Sequence, residues 1–482
     1  MFAPLQHLHD QAQTHPERAA LIGADGVWSF AELDRAVAAV AARLRDLGIA
    51  PRQLVATDLA PADDWIVTLA LLRIATRTLS LTGIGALTGV APDALLTRPG
   101  TRRGEAPQVI AIDRLWIDQA VADADEAGAP AVPTVLYPRV DAICRVIMTS
   151  GTTGTPRGVE LSVSAVEHRL ATLHRYWTDE RPELNLMSLS TTGGFHTALA
   201  TLQHGTPYLT VELTDERLLR RAADAGVQVL AGSPVQVGSL VQLIRELKVT
   251  LPALREVRTA GAPATPALLD QIAEVLAVPV RGVYGSTEGG GVATRMLHGG
   301  GDPADVGQLL PGIQLQIVDD EGVVVPPGVS GDVRYRGPGL ANGYTAADPE
   351  GSFRDGWFYP GDRGSLSAEG ILVLEGRSSD VVNFGGVKVD PAAVDAAVEG
   401  FPGVIDAATF VIEKRPGVPE LGLAVVAQAD CDLRALDQLL RQRLPGKHPT
   451  VFGQVSVIPR NRMGKVERAR LTAEFRRRLN LD

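Results

Sequence analysis

Apolar positions along the chain follow two different spacings in turn, and the alternation predicts an α/β protein. After Ser29, Leu33, Val37, Val40, Leu44 and Leu47 recur at helical spacing. Ser29 and Glu32 form a capping box that starts this helix, and Gly48 falls where a terminating glycine is expected. Short apolar runs such as LVATDLA and VQVLAG then alternate with longer segments, WIVTLALLRIA and LVQLIRELK. This order predicts mostly parallel strands joined by crossover helices.

From about Gly312 the texture changes. IQLQIVDD, GDVRYRG and ILVLEGR are short β-like runs separated by Gly, Pro and Asp turns, which predicts a β-rich subdomain over about 312–376. Beyond Gly376, Asp390 and Pro391 are placed as N-cap and first residue of a helix with Val394, Ala397 and Val398 as its stripe, ending before Gly400. ATFVIEK and GLAVVAQAD read as strands. The expected division is a large N-terminal domain of α/β subdomains, 1–376, a hinge at 377–380 and a small mobile α+β domain, 381–482.

Composition narrows the class. The 482 residues are 45% hydrophobic and 21% charged, ordinary for a globular enzyme, and long enough to bury several cores. A formal charge of −10 argues against an electrostatic grip on nucleic acid or an anionic membrane. The arginines from Arg468 to Arg478 read as one solvated helical face. Cys144 and Cys431 are too few and too far apart for a disulfide framework, which points to a reducing, cytoplasmic setting. The opening stretch MFAPLQHLHDQAQTHPER has no secretory pattern, and the apolar run Trp65 to Leu72 is stopped by Arg73, short of the ~20 residues a membrane span needs.

Candidate chemistry concentrates in Val146 to Val159, VIMTSGTTGTPRGV. An apolar strand runs into Ser, Thr, Gly and Pro and ends in the cation Arg157. Small side chains let backbone N–H groups approach an anion, and hydroxyls add donors. The Gly-Lys-Ser/Thr ending of a Walker A loop is absent.

This stretch resembles the phosphate loop of the adenylate-forming superfamily, which includes acyl- and aryl-CoA synthetases, adenylation domains of peptide synthetases and firefly-type luciferases. Thr149, Ser150, Gly151, Thr152, Thr153 and Gly154 match its T-S-G-T-T-G, with Arg157 in place of lysine. That exchange keeps the charge and swaps a point ammonium for a planar fork. VYGSTEG resembles the Y-G-x-T-E element: by that resemblance Tyr284 lies against adenine with Gly285 and Ser286 beside it, Thr287 meets phosphate or Mg²⁺, and Glu288 coordinates Mg²⁺. Ala260-Gly261-Ala262-Pro263 resembles the small-residue element beneath adenine and the acyl chain. WFYPGDRG resembles the element whose carboxylate, here Asp362, binds ribose, although Pro360 replaces the usual threonine. GRSSD resembles the hinge element, with Arg377 toward ribose or phosphate and Ser379 at the family's pivot aspartate. NFGGVKVDP, through Gly385 and Gly386, resembles the loop that meets a pantetheine arm. PRNRMGKVER makes Lys465 the lysine that bridges the substrate carboxylate and the α-phosphate; in isolation Lys465 reads as one more surface lysine. The resemblance extends from about Ser29 to the C-terminus.

The resemblance implies ATP, Mg²⁺ and a thiol acceptor, either CoA or a carrier-protein phosphopantetheine. In GGFHTA, His196 takes the place where amino-acid activators carry an aspartate, so a neutral acyl or aryl acid is expected, with Phe195 and His196 at the pocket wall; a core Phe beside a structural His is the alternative. Ala231, Gly232, Ser233, Gly261, Gly282 and Val283 are expected to leave room for a bulky substrate. Delivery to CoA, delivery to a carrier protein, and a third class (luciferase-like oxidation or a non-catalytic adenylate-binding module) compete, with CoA favoured. Intact Lys465 and Glu288 count against the binding module. A homodimer is left open.

Overall fold

The structure is a computed structural model that describes residues 2–24, 26–81, 89–101, 106–128, 137, 139–149, 157–176, 181–210, 216–298, 302, 304–348, 351–377, 382–384, 387–389, 391–398, 401–415, 418–429, 431–444, 448–460, 466–479 and 481. It divides into two compact units: 1–303 with 308–315 and 335–358, and 304–307 with 316–334 and 359–482.

Among the described residues the first unit holds a small sheet, Tyr208–Leu209, Ala19–Gly23 and Gly26–Ser29, and two larger ones. In one, strands Ile143–Thr149, Arg77–Ser80, Leu54–Asp58, Ala94–Thr97 and Gln108–Ala111 run side by side in parallel. Arg157–Ser162 turns back antiparallel on Ile143–Thr149, and Gly343–Tyr344 pairs with it in turn, Tyr344 opposite Val159. In the other, Glu183–Asn185, Val229–Gly232, Glu256–Ala260 and Val280–Ser286 are parallel, and Gly290–Leu297 closes a hairpin on the last. Leu54–Asp58, Ala94–Thr97 and Val229–Gly232 are buried along their whole length, as expected for parallel strands covered on both faces.

The helix Phe30–Asp46 begins with the reciprocal Ser29–Glu32 capping box, and Gly48 follows its end at φ +90°. Leu33, Val37, Val40 and Leu44 are buried, whereas Leu47 is exposed at the helix end. The segment around Trp65 is the helix Pro61–Arg73, a buried core helix with Trp65 at 0% exposure. A helix over Ala3–Thr14, with Pro4 in its first turn, adds to the predicted elements. Among the described residues no helix is long and apolar enough to cross a membrane.

In the second unit, strands Asp362–Leu366 and Ile371–Arg377 pair antiparallel, with Asp362 opposite Arg377. Val404–Arg415 and Val418–Ala427 form a long hairpin flanked by the parallel strand Val451–Gln454. Helices Pro391–Val398, Leu433–Arg443 and Arg468–Arg478 accompany it, with Val394 and Val398 buried as predicted. Arg468–Arg478 is not wholly solvated: Leu471 and Phe475 are buried, and Phe475 packs on Phe410 with ring centroids 4.3 Å apart. Arg468 donates to the Asp395 carboxylate at 2.6 Å and to the Thr409 carbonyl, tying this helix to Pro391–Val398 and to the long hairpin.

Candidate active site

The phosphate-loop candidate hangs between two paired strands. Thr149 faces Arg157 across the hairpin, and its hydroxyl donates to the Arg157 carbonyl at 3.3 Å. Ser150, Gly151, Thr152, Thr153 and Gly154, together with Ser379, Gly385, Gly386 and Lys465, lie outside the described residues. The Arg157 guanidinium stands 5.5 Å from the centre of the Tyr344 ring, within cation–π range.

Tyr284 to Glu288 occupy the end of the strand Val280–Ser286 and the turn that follows. The Ser286 hydroxyl is engaged within this turn: it accepts from the Gly289 amide at 2.9 Å and bonds the Tyr335 hydroxyl at 2.9 Å. The turn leaves no space for a side chain at either Gly285 or Gly289. A Cβ at position 285 would overlap the Gly290 carbonyl, and one at position 289 the Tyr335 ring.

Glu288 is fixed from both ends. Its carbonyl accepts from the Ala341 amide at 2.8 Å and from Arg169 at 2.7 Å. Its carboxylate Oε1 accepts from the Tyr344 hydroxyl at 2.9 Å. Burial first, and the Glu288 charge second, raise the Tyr344 phenol well above its usual range, so it stays a donor. Among the described residues no three His, Cys, Asp or Glu side chains gather as a self-contained metal site. A single oriented carboxylate fits Mg²⁺ that arrives with a triphosphate, because such Mg²⁺ usually takes only one or two protein oxygens.

Phe195 and His196 lie on the helix Thr192–His204, whose residues from Gly194 to Leu202 are all buried. Phe195 is at 0% exposure in the core, with the buried Arg145 guanidinium 4.3 Å from its ring centre. His196 Nδ1 lies 2.7 Å from the Thr192 carbonyl. A carbonyl only accepts, so Nδ1 carries the proton and Nε2 keeps its lone pair. Burial first, then the nearby Arg169 charge, lowers the His196 pKa to about 3. The ring is therefore neutral near pH 7. It offers shape and a lone pair rather than a proton.

The small residues proposed for an acyl pocket are already closely packed. Met187 is buried against Ala231, with Ala260 and Val283 beside it, and its sulfur and methyl would stand 2.7 Å from a Cβ at Gly193. Gly232 faces Leu186 and Val237, and Gly282 faces Leu297. Ser233 caps the helix Pro234–Leu247 in a box with Gln236. Gly261, at φ +91°, and Ala262 follow the strand Glu256–Ala260. Asp362, 9% exposed, belongs with Arg377 to the second unit.

Tyr344, Arg169 and Met187 were not singled out by the sequence. Arg169 had one local signal: it sits four residues after the buried Ala165, on the inward stripe of its helix.

The family profile for AMP-binding enzymes matches residues 8–79 and 87–345. Naringenin synthase of Pestalotiopsis fici is 29% identical over 66% of the chain, which spans 12% of that protein's length. The medium/long-chain-fatty-acid–[acyl-carrier-protein] ligase FadD10 of Mycobacterium tuberculosis is 27% identical over 97% of this chain and 95% of its own. The ATP-bound crystal structure of MatB from Rhodopseudomonas palustris superposes with a TM-score of 0.86 at 25% identity, covering 98% of this chain and 99% of that one.

Proposed function

The chain belongs to the AMP-binding enzyme family, and from that premise we propose that it activates a carboxylic acid with ATP as an acyl- or aryl-adenylate and transfers the acyl group to a thiol. The observation that carries this reading is the chain of contacts from Arg157 through the Tyr344 ring to the Glu288 carboxylate. It joins the cation of the phosphate-loop candidate to the candidate Mg²⁺ ligand.

A carboxylate resists attack, and joining it to a nucleotide brings two anions together, so the work lies in charge neutralisation and positioning. Mg²⁺, when bound, would shield the phosphate oxygens from the incoming carboxylate. Thr149 and Arg157 would line the phosphates, with Ser150 to Gly154 between them. Tyr284 and Gly261–Ala262 would bracket adenine, and Asp362 and Arg377 would meet the ribose. Lys465, carried by the segment 381–482 as a lid turning about Ser379, would bridge the substrate carboxylate and the α-phosphate. Gly385 and Gly386 would then admit the pantetheine arm.

We favour CoA as acceptor, in a cytoplasmic setting where it is available. A carrier-protein phosphopantetheine is the second reading, supported by the likeness to FadD10 along nearly the whole chain. The test is pyrophosphate release across a panel of carboxylic acids, alone and with CoA or a holo carrier protein. Acid-dependent pyrophosphate is expected, followed by a thioester with one of the two thiols. No acid-dependent pyrophosphate from a folded, ATP-binding protein would remove the reading.

A further inference from the structure

The side chain of Arg169 gathers three separate segments of the first unit. Its Nε donates to the Gly339 carbonyl at 2.7 Å. One terminal nitrogen donates to the Thr287 carbonyl and the Thr192 hydroxyl, each at 3.0 Å, and the other to the Glu288 carbonyl at 2.7 Å. The residue is 6% exposed, and among the described residues its hydrogen-bond partners are three backbone carbonyls and one hydroxyl. Burial lowers its pKa to about 10, which still leaves it charged at neutral pH.

A cation in a protein interior is expensive unless its donors are satisfied and its charge has a use. Here the neighbouring backbone is shaped to admit it. A Cβ at Gly339 would stand 3.0 Å from Arg169 Cγ, and one at Gly290 would stand 3.2 Å from Nε. Both glycines flank segments that Arg169 binds. A lysine could not reproduce the arrangement, because only the planar fork presents donors in the required directions.

We propose that Arg169 is a positioning residue for the reaction centre: it fixes the backbone of Thr287 and Glu288 so that the Glu288 carboxylate meets the divalent cation bound with the nucleotide. The proposal rests on the adenylating reading above. Arg169 pins the Glu288 carbonyl while Tyr344 aims its carboxylate, so main chain and side chain are set by separate partners. Second-tier contacts of this kind typically change metal affinity by about 10–100-fold when lost.

The test compares wild type with Arg169→Gln, Arg169→Lys and Gly339→Ala, which crowds the guanidinium without removing it. Binding of ATP is followed by calorimetry across a Mg²⁺ titration, without acid and so without turnover, and acid-dependent pyrophosphate release is followed alongside. In Arg169→Gln and Gly339→Ala the Mg²⁺ concentration for half-maximal effect should rise about tenfold or more. Turnover at saturating Mg²⁺ should stay within about threefold, and Arg169→Lys should not rescue. Thermal melts report folding; if Arg169→Gln does not fold, Gly339→Ala alone decides. Unchanged Mg²⁺ dependence in a folded variant, or lost turnover with that dependence intact, overturns the proposal. Its failure is distinguishable from failure of the adenylating reading, which wild type alone tests.

Discussion

The Tyr344 hydroxyl donates to Glu288 Oε1 at 2.9 Å, linking two residues 56 positions apart. Tyr344 reaches this position because the strand Gly343–Tyr344 pairs with Arg157–Ser162, directly beyond the phosphate-loop candidate. Its ring rests edge-on against Phe353, with centroids 5.3 Å apart. Tyr344→Phe removes the hydrogen bond and keeps the packing. A hydrogen bond to a charged group is worth about 1.5–3 kcal/mol, so kcat/KM for MgATP is expected to fall by at least about tenfold. The melting temperature should fall by no more than a few degrees. Pyrophosphate exchange together with a thermal melt checks both, and an unaltered kcat/KM would remove Tyr344 from the site.

His196 makes the fold sensitive to acid. Its pKa is depressed to about 3 in the folded chain from an ordinary 6.5. At pH above 6.5 both folded and unfolded chains hold it neutral, and its contribution to stability is complete. As the pH falls from 6.5 towards 3, the unfolded chain takes up a proton that the folded chain refuses, and stability is lost, by several kcal/mol in the limit. His196→Asn keeps a donor towards the Thr192 carbonyl and cannot titrate. Denaturant unfolding of both proteins between pH 7 and 4 should show wild type losing stability more steeply. Parallel slopes would contradict the burial of a neutral imidazole.

How much of this the sequence carried depends on how local each signal was. The Ser29–Glu32 box and Gly48 were readable because capping needs only neighbours along the chain. The buried strands Leu54–Asp58 and Val229–Gly232 were readable as short apolar runs. The direction in which Phe195 and His196 point was not, because the helix Thr192–His204 is buried from Gly194 to Leu202 and has no polar face there to show it. Tyr344, Arg169 and Met187 act through partners distant in sequence, and neither periodicity nor short motifs encode such pairings. Small residues at 231 and 283 suggested open space, yet what packs against them is Met187, contributed by the loop after Glu183–Asn185.

Met187 therefore sets the size of that region. Met187→Ala leaves a cavity lined by Ala231, Ala260 and Val283. Loss of a buried methionine side chain typically costs about 2–5 kcal/mol of stability. If the cavity opens onto the acyl site, the preferred acid should become bulkier by a few carbons. Relative kcat/KM across a graded series of acids reads the change, and an unaltered ranking with lowered stability would make Met187 a core residue only.

Lys465→Ala addresses the step itself. The proposed contact of Lys465 with the substrate carboxylate and α-phosphate strengthens as charge develops, so its loss should fall on kcat and spare ATP binding. One preorganised electrostatic contact is worth about 3–4 kcal/mol, or on the order of 10²–10³ in rate. Acid-dependent pyrophosphate exchange should drop by that factor while calorimetric ATP affinity changes less than about threefold. Wild-type exchange in Lys465→Ala would return the residue to the status of a surface lysine. Arg157→Lys separates a second effect, because it retains the charge of the phosphate loop and replaces the guanidinium that stands 5.5 Å from the centre of the Tyr344 ring. If that cation–π contact steadies the Tyr344 hydroxyl against Glu288, Arg157→Lys and Tyr344→Phe should be non-additive in a double-mutant cycle, with a coupling of about 0.5–1 kcal/mol. Independent effects would mean that Arg157 acts on the phosphates alone.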